Sequence, residues 1–252
     1  MFVKICGTTS EEDALLSVAL GADAVGFVMA PSPRQVTASV VSDIVKRLPV
    51  EVMTVGVFRG DDPRRIVEQV LTSGVRAVQL HGQESAEDVA FIRSKLPLTI
   101  IKAFPAGSSL VEKADAFHAD IVLLDAPNPG SGQVFDWRLA DGVPDGVKLM
   151  IAGGLNPINV ADAIEAVQPW GVDVVSGVEA SPGRKDPRKL REFIQNARSA
   201  HERILRRVEQ QEEAEDAVDL ESSGSMPQAA EEERRTARTG GVYDWKMEGV
   251  DE

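Results

Sequence analysis

Eight short, mostly apolar and β-branched runs punctuate the chain: Phe2–Ile5, Ala24–Val28, Val52–Val57, Ala77–Leu80, Thr99–Ala103, Ile121–Leu124, Leu149–Ala152 and Val172–Val175. They are near-continuously apolar rather than alternating, the pattern of strands buried on both faces. Amphipathic segments with apolar residues at helical spacing lie between them. Ser10–Leu20 carries Ala14, Leu15, Val18 and Ala19 on one side and offers Ser10 as N-cap; Thr37–Leu48, Asp62–Ser73, Ser85–Leu96 and Asn156–Val167 read the same way. Ser109–Phe117 is shorter, and Asp136–Ala140 is barely a helix. A last helix opens at Asp186 and continues its apolar stripe through Leu190, Phe193, Ile194, Ala197, Ile204, Leu205 and Val208 to about residue 213.

Strand and helix alternate throughout, so the fold class is α/β. Eight such units in about 200 residues predict a single, compact (β/α)8 TIM barrel over residues 1–200. The competing architecture is an open doubly wound sheet, which more often shows a Gly-x-Gly-x-x-Gly turn at a switch point; neither is present. Residues 201–252 form an acidic extension, expected to be helical and then partly disordered. Ser222–Gln228 reads as a linker, and Glu231–Arg238 is a charged segment. Val242–Met247 is an aromatic island holding the only tyrosine, Tyr243, and Trp245. Two readings of this extension stand: a solvated acidic tail, or one that docks through Tyr243 and Trp245.

Charge narrows the partners. The formal net charge is −13, with 7 Lys and Arg against 15 Asp and Glu from His201 onward; the extension therefore carries −8 and the preceding body −5. An acidic chain of this kind disfavours nucleic acid. Its apolar runs all fall well short of the ~20 residues that span a membrane, and the single cysteine, Cys6, provides no disulfide framework and suits a reducing cytoplasm. Met1 leads straight into a strand, without the pattern of a signal peptide.

In a barrel, residues at the C-terminal strand tips share one mouth. Cys6 and Gly7 follow the first strand, and Asp125 follows four apolar residues at the end of the sixth. Cys6 is either a small buried hydrophobe or a base that needs a nearby positive charge, since a free thiol is mostly protonated near neutrality. Asp125 is either a cap or a pocket acid. Facing each other, thiol and carboxyl form an acid/base pair suited to isomerisation or enolisation, with no need of a metal or other cofactor. The glycine turns Ala152–Pro157, with Gly153 and Gly154, and Val175–Glu179, with Ser176 and Gly177, follow the seventh and eighth strands, where barrels often bind phosphate through backbone N–H groups. Arg34, in the proline-stiffened Ala30–Gln35, suits a substrate carboxylate or is simply solvated. His81, after the fourth strand, lines the pocket or satisfies a backbone carbonyl. Gly130-Ser131-Gly132 is placed to close over a ligand.

Together, Lys4-Ile-Cys-Gly-Thr-Thr, Gly26-Phe-Val, Ser32-Pro-Arg, Val55-Gly-Val-Phe, Val78-Gln-Leu-His-Gly, Phe135-Asp-Trp, Ala152-Gly-Gly-Leu-Asn-Pro, Val172-Asp-Val-Val-Ser-Gly-Val-Glu and Pro182-Gly-Arg-Lys-Asp resemble the phosphoribosylanthranilate isomerases of tryptophan biosynthesis, from residue 3 to about 198. The resemblance implies an Amadori rearrangement of N-(5-phosphoribosyl)anthranilate to 1-(2-carboxyphenylamino)-1-deoxyribulose 5-phosphate. It implies Asp125 as general acid and Cys6 as general base. Arg34 would hold the anthranilate carboxylate and His81 would line the site. Gly153, Gly154, Ser176 and Gly177, with Asp173 nearby, would bind the phosphate. The small phosphosugar substrate is the only partner this implies, for a monomer or homodimer. Thr8 stands where the family more often has an apolar residue, and the loop holding Arg34 is shorter than usual. The alternatives are a dual histidine/tryptophan barrel isomerase, which uses paired aspartates, and a non-catalytic barrel with a partner-binding tail.

Overall fold

The computed structural model describes residues 1–125, 143–144 and 146–222. By its internal contacts the chain divides into Met1–Ala200 and His201–Glu252. The expected segment Asp136–Ala140, the Gly130-Ser131-Gly132 turn, and Tyr243 and Trp245 lie outside the described residues.

The first unit is the expected barrel. Strands β1 (Phe2–Ile5), β2 (Ala24–Val28), β3 (Met53–Phe58), β4 (Ala77–Leu80), β5 (Thr99–Pro105), β6 (Ile121–Asp125), β7 (Lys148–Ile151) and β8 (Gly171–Val174) pair in sequence order and close, β8 onto β1. Every pairing is parallel, and closure runs in register from Phe2↔Gly171 to Ile5↔Val174. Helices α1 (Glu11–Ala19), α2 (Ala38–Val45), α3 (Pro63–Ser73), α4 (Ala86–Lys95), α5 (Val160–Val167) and α6 (Pro187–Ser222) follow strands β1 to β4, β7 and β8. After β5 comes a 3-10 helix, Val111–Phe117, in place of the short helix expected there. The α6 helix also runs past the expected end near residue 213.

Helix starts follow the local chemistry. Ser10 and Thr37 accept from backbone N–H groups three residues on, Asp62 caps α3 ahead of Pro63, and Ser85 with Asp88 closes a capping box on α4. Alternation then sorts each strand's side chains. Val25, Phe27, Phe58, Val78, Leu80 and Ile100 face outward and pack with Ile44, Ile66, Val70, Val89 and Ile92 of the helices. Alternate residues therefore face the barrel axis, among them Gly26, Gln79 and, on β6, Leu123 and Asp125, since Val122 and Leu124 lie in an outer cluster.

Among the described residues, two buried ion pairs anchored on the barrel strands break the apolar pattern. Lys4 Nζ donates to Asp173 Oδ1 at 2.9 Å inside the barrel. Lys102, on the outward face of β5, donates to Glu84 Oε2 at 2.9 Å and to the Gly82 carbonyl at 2.9 Å. Glu84 also accepts from the N–H groups of Gly60 and Gly82, which ties down the loop that follows His81. Such satisfied pairs cost little while intact and much when one partner is removed.

Thr8 is fully buried, and its Oγ1 has no hydrogen-bond partner among the described residues. Replacing it by the near-isosteric valine removes an unsatisfied hydroxyl, so Thr8→Val is expected to stabilise the fold by about 1–2 kcal/mol. A thermal melt checks this; a lower melting temperature in the variant would show that the hydroxyl is satisfied after all.

Candidate active site

Cys6 immediately follows β1, and its N–H donates to the Val174 carbonyl at 2.8 Å, so it sits at the C-terminal rim beside the end of β8. Its side chain turns toward the barrel axis, opposite Gly26. A Cβ at Gly26 would stand 2.6 Å from Cys6 Sγ and 3.2 Å from Lys4 Nζ. Only glycine leaves room for the sulfur and the ammonium to share that space. Burial pushes the Cys6 thiol up; Lys4, acting as a charge and as a hydrogen-bond donor, pulls it down; Asp173 pushes it up again, and the balance lies above the ordinary thiol value. Lys4 is itself opposed by burial, but Asp173 and Cys6 raise its pKa, so it stays charged.

Asp125 ends β6 at the same rim and is nearly buried. Its Oδ2 lies 3.0 Å from His81 Nε2, and His81 Nδ1 lies 2.9 Å from Gln79 Nε2. With the Gln79 amide nitrogen donating to Nδ1, the Nε2 proton points at Asp125 Oδ2 and leaves Oδ1 outside this bond. His81 thus meets Asp125 across β5, a side-chain contact that neither of the two expected roles included.

The turns after β7 and β8 meet. Gly153 and Gly154 adopt φ values of 87° and 69°. The Gly154 carbonyl accepts from the side-chain amides of Asn156 and Asn159, which fold the turn back on itself. Gly177, in the 3-10 turn Ser176–Val178, packs so tightly on this loop that a Cβ would fall 1.9 Å from the Leu155 carbonyl oxygen. Any side chain there would separate the two turns.

One expected placement differs. Asp173 is not available to a phosphate: its carboxylate is 4% exposed, bound to Lys4, and of the wrong sign to attract an anion. Arg34 is neither free nor fully solvated. Its Nε and Nη2 donate to Glu179 Oε1 and Oε2 at 2.7 and 2.6 Å, at the start of β9 (Glu179–Ser181), which pairs with β10 (Arg184–Lys185). Lys4, Gln79, Glu179 and Lys185 lie within the family motifs, but sequence reasoning assigns them no role. One signal was available for Lys4, because a lysine inside an apolar strand must find a buried counter-charge.

Comparison with known proteins covers the barrel. The family model for N-(5'-phosphoribosyl)anthranilate (PRA) isomerase matches residues 3–196. The N-(5'-phosphoribosyl)anthranilate isomerase of Desulforudis audaxviator is 45% identical over 205 residues, covering 79% of this chain and 98% of that protein. The chain belongs to the N-(5'-phosphoribosyl)anthranilate isomerase family. Among solved structures, the phosphoribosyl anthranilate isomerase of Thermus thermophilus superposes with a TM-score of 0.74 at 36% identity, covering 79% of this chain and 99% of that one. A second isomerase of the family, solved in complex with reduced 1-(o-carboxyphenylamino)-1-deoxyribulose 5-phosphate, matches at 40% identity and a TM-score of 0.68, over 79% and 99% of the two chains. The family match ends at residue 196, so residues 201–252 fall outside it. Among the described residues no helix is long and apolar enough to cross a membrane.

Proposed function

We propose that this isomerase of the tryptophan pathway works by acid–base catalysis between Asp125 and Cys6. The substrate is N-(5-phosphoribosyl)anthranilate. Asp125, protonated, gives its proton to the ribose ring oxygen; the C1–O bond breaks, and the nitrogen lone pair forms a C1=N iminium. Cys6, as thiolate, removes the proton from C2, and the C2–H electrons form a C1=C2 enolamine. The enolamine then takes a proton at C1 and loses one from the C2 hydroxyl, leaving the ketone. No atom is gained or lost, so the step is an isomerisation, and proton exchange with solvent, one proton to Asp125 and one from Cys6, returns both side chains to their starting protonation.

The observation that carries this reading is that Cys6, directly after β1, and Asp125, at the end of β6, occupy the C-terminal rim of one closed barrel, both with side chains on the axial face. The immediate surroundings fit the roles. Lys4 supports negative charge on the sulfur, and His81 holds the carboxyl. Gly153, Gly154, Ser176 and Gly177 make up the phosphate cradle, and Arg34 takes the anthranilate carboxylate. Asp173 acts as the counter-ion of Lys4 rather than as a phosphate ligand. The chain works in the cytoplasm, as a monomer or homodimer, on a small phosphosugar and without a cofactor.

Turnover is tested by the loss of fluorescence of N-(5-phosphoribosyl)anthranilate. Because the Cys6 thiol lies above its ordinary value, the active thiolate becomes more abundant as pH rises. Alkylation of Cys6 by iodoacetamide, which needs only the thiolate, is therefore expected to climb beyond about pH 8.5, the ordinary thiol value, before levelling. The activity of the free enzyme, kcat/KM, needs the Cys6 thiolate and a protonated Asp125 together and is expected to be bell-shaped instead. Stoichiometric alkylation of Cys6 that left turnover intact would remove it as the base.

A further inference from the structure

Arg34 is held at the rim by a carboxylate 145 residues further along the chain. Glu179 is 6% exposed and takes the Nε and Nη2 edge of the guanidinium with two short bonds. It is itself fixed from two further directions. Gly183 N–H donates to its Oε1 at 3.2 Å, and Lys185 Nζ lies 3.4 Å from the same oxygen. Lys185 also donates to the carbonyls of Cys6 at 2.6 Å and Val175 at 3.1 Å, and Thr9 Oγ1 donates to the Gly183 carbonyl at 2.6 Å. The loop after β1, the loop after β2 and the β9–β10 hairpin are thereby joined at one carboxylate.

The guanidinium is planar, with its five donors in a fixed fork. Once Nε and one Nη2 hydrogen are committed to Glu179, the edge formed by Nη1 and the second Nη2 hydrogen can go in one direction only. Among the described residues Nη1 has no partner, and the side chain keeps 20% exposure. That edge matches a carboxylate bidentately. The stem of Arg34 crosses Gly7, next to Cys6, since a Cβ on Gly7 would come within 2.7 Å of Arg34 Cδ. The charges also suit an anion. Glu179 neutralises one of its two cations, Arg34 and Lys185, and leaves one positive charge over. Burial pushes the Glu179 carboxyl up, but the bonds and charges of Arg34 and Lys185 outweigh it and keep Glu179 ionised.

We infer that Glu179 is the specificity-setting residue that aims the free edge of Arg34 at the carboxylate of the substrate's aryl amine, so that preference for a carboxylated amine resides in the Arg34–Glu179 pair rather than in Arg34 alone. The inference rests on Arg34 as the anthranilate-binding residue, and its test separates the two.

Steady-state kinetics are measured for the native chain, Arg34→Gln, Glu179→Gln and the double variant. Two substrates are used: N-(5-phosphoribosyl)anthranilate and the carboxyl-free N-(5-phosphoribosyl)aniline. Arg34→Gln is expected to lose activity on the carboxylated substrate only. Glu179→Gln is expected to raise KM for that substrate about tenfold, the scale of one charge-assisted hydrogen bond, with kcat and the aniline reaction little changed. The double variant is expected to be no worse than Arg34→Gln alone. If Arg34→Gln discriminates but Glu179→Gln weakens both substrates equally, Glu179 is only a structural brace and the inference is overturned. If Arg34→Gln does not discriminate, the reading of Arg34 falls, and the aiming role of Glu179 with it. Circular dichroism verifies folding. Should Glu179→Gln fail to fold, Glu179→Asp keeps the charge but is too short to span Nε and Nη2 in the same pose, and is judged by the same substrate comparison.

Discussion

Cys6→Ser is expected to lower kcat by at least ~10²-fold, with KM and folding nearly unchanged. Ser fits the space opposite Gly26, but its hydroxyl is too weakly acidic to supply an anion for removing the C2 proton. Asp125→Asn is expected to cost at least as much, since the amide keeps a partner for His81 but cannot protonate the ring oxygen. The two losses belong to different steps, and isotopes distinguish them. With deuterium at C2, Cys6→Ser should show a large primary isotope effect, because proton removal from carbon has become limiting. Asp125→Asn should show a small one, because ring opening now limits before that bond is touched. Near-native kcat in either variant would end that residue's role. A large isotope effect in both would show that Asp125 does not act in a separate, earlier step.

The second large effect concerns Lys4, which joins stability to catalysis. Lys4→Met leaves Asp173 buried at 4% exposure without its cation. Breaking such a pair costs about 3–5 kcal/mol, and for a barrel of this size each kcal/mol lowers the melting temperature by roughly 2–4 °C. The same change removes the group that pulls the thiol pKa down while keeping Asp173, which pushes it up. The alkylation limb of Cys6 is therefore expected to move to higher pH, and activity at neutral pH to fall about tenfold for every pH unit the limb moves. Adding Asp173→Leu removes the orphaned charge. The double variant should regain much of the lost melting temperature, because apolar replacement of a buried pair is often neutral, while the thiol remains without its cation. Melting curves and iodoacetamide titrations of the three proteins test both halves. If the thiol titrates identically with and without Lys4, the ammonium is a structural ion alone and the link to catalysis fails.

A single lysine at the heart of β1 can carry both duties because the barrel interior is narrow. Gly26 gives up its side chain so that sulfur and ammonium can meet, and Asp173 on the neighbouring strand balances the charge through the register Lys4↔Asp173. A buried base needs this compensation, since burial by itself disfavours the thiolate. The surplus proton affinity that remains is useful in a base that must act on a C–H bond, at the cost of a smaller active fraction at neutral pH.

What the chain determined by pattern alone was local. Near-continuous apolar runs mark buried strands wherever they occur, so β1, β2 and β4 match their expected spans, and β3 at Met53–Phe58 is shifted by one residue from the expected Val52–Val57. Ser10, Asp62 and Ser85 mark helix starts because their side chains bond N–H groups only two or three residues away. The strand-tip positions of Cys6 and Asp125 follow from the same local grammar. Tertiary structure decided which charges meet. Lys4 and Asp173 are 169 residues apart, Arg34 and Glu179 are 145 apart, and His81 and Asp125 are 44 apart. No local rule couples such positions; closure of the barrel does. It turned Asp173 from an expected phosphate ligand into the counter-ion of Lys4, and Arg34 from a lone cation into half of an aligned pair, because the sign and direction of a charge depend on its neighbours in space.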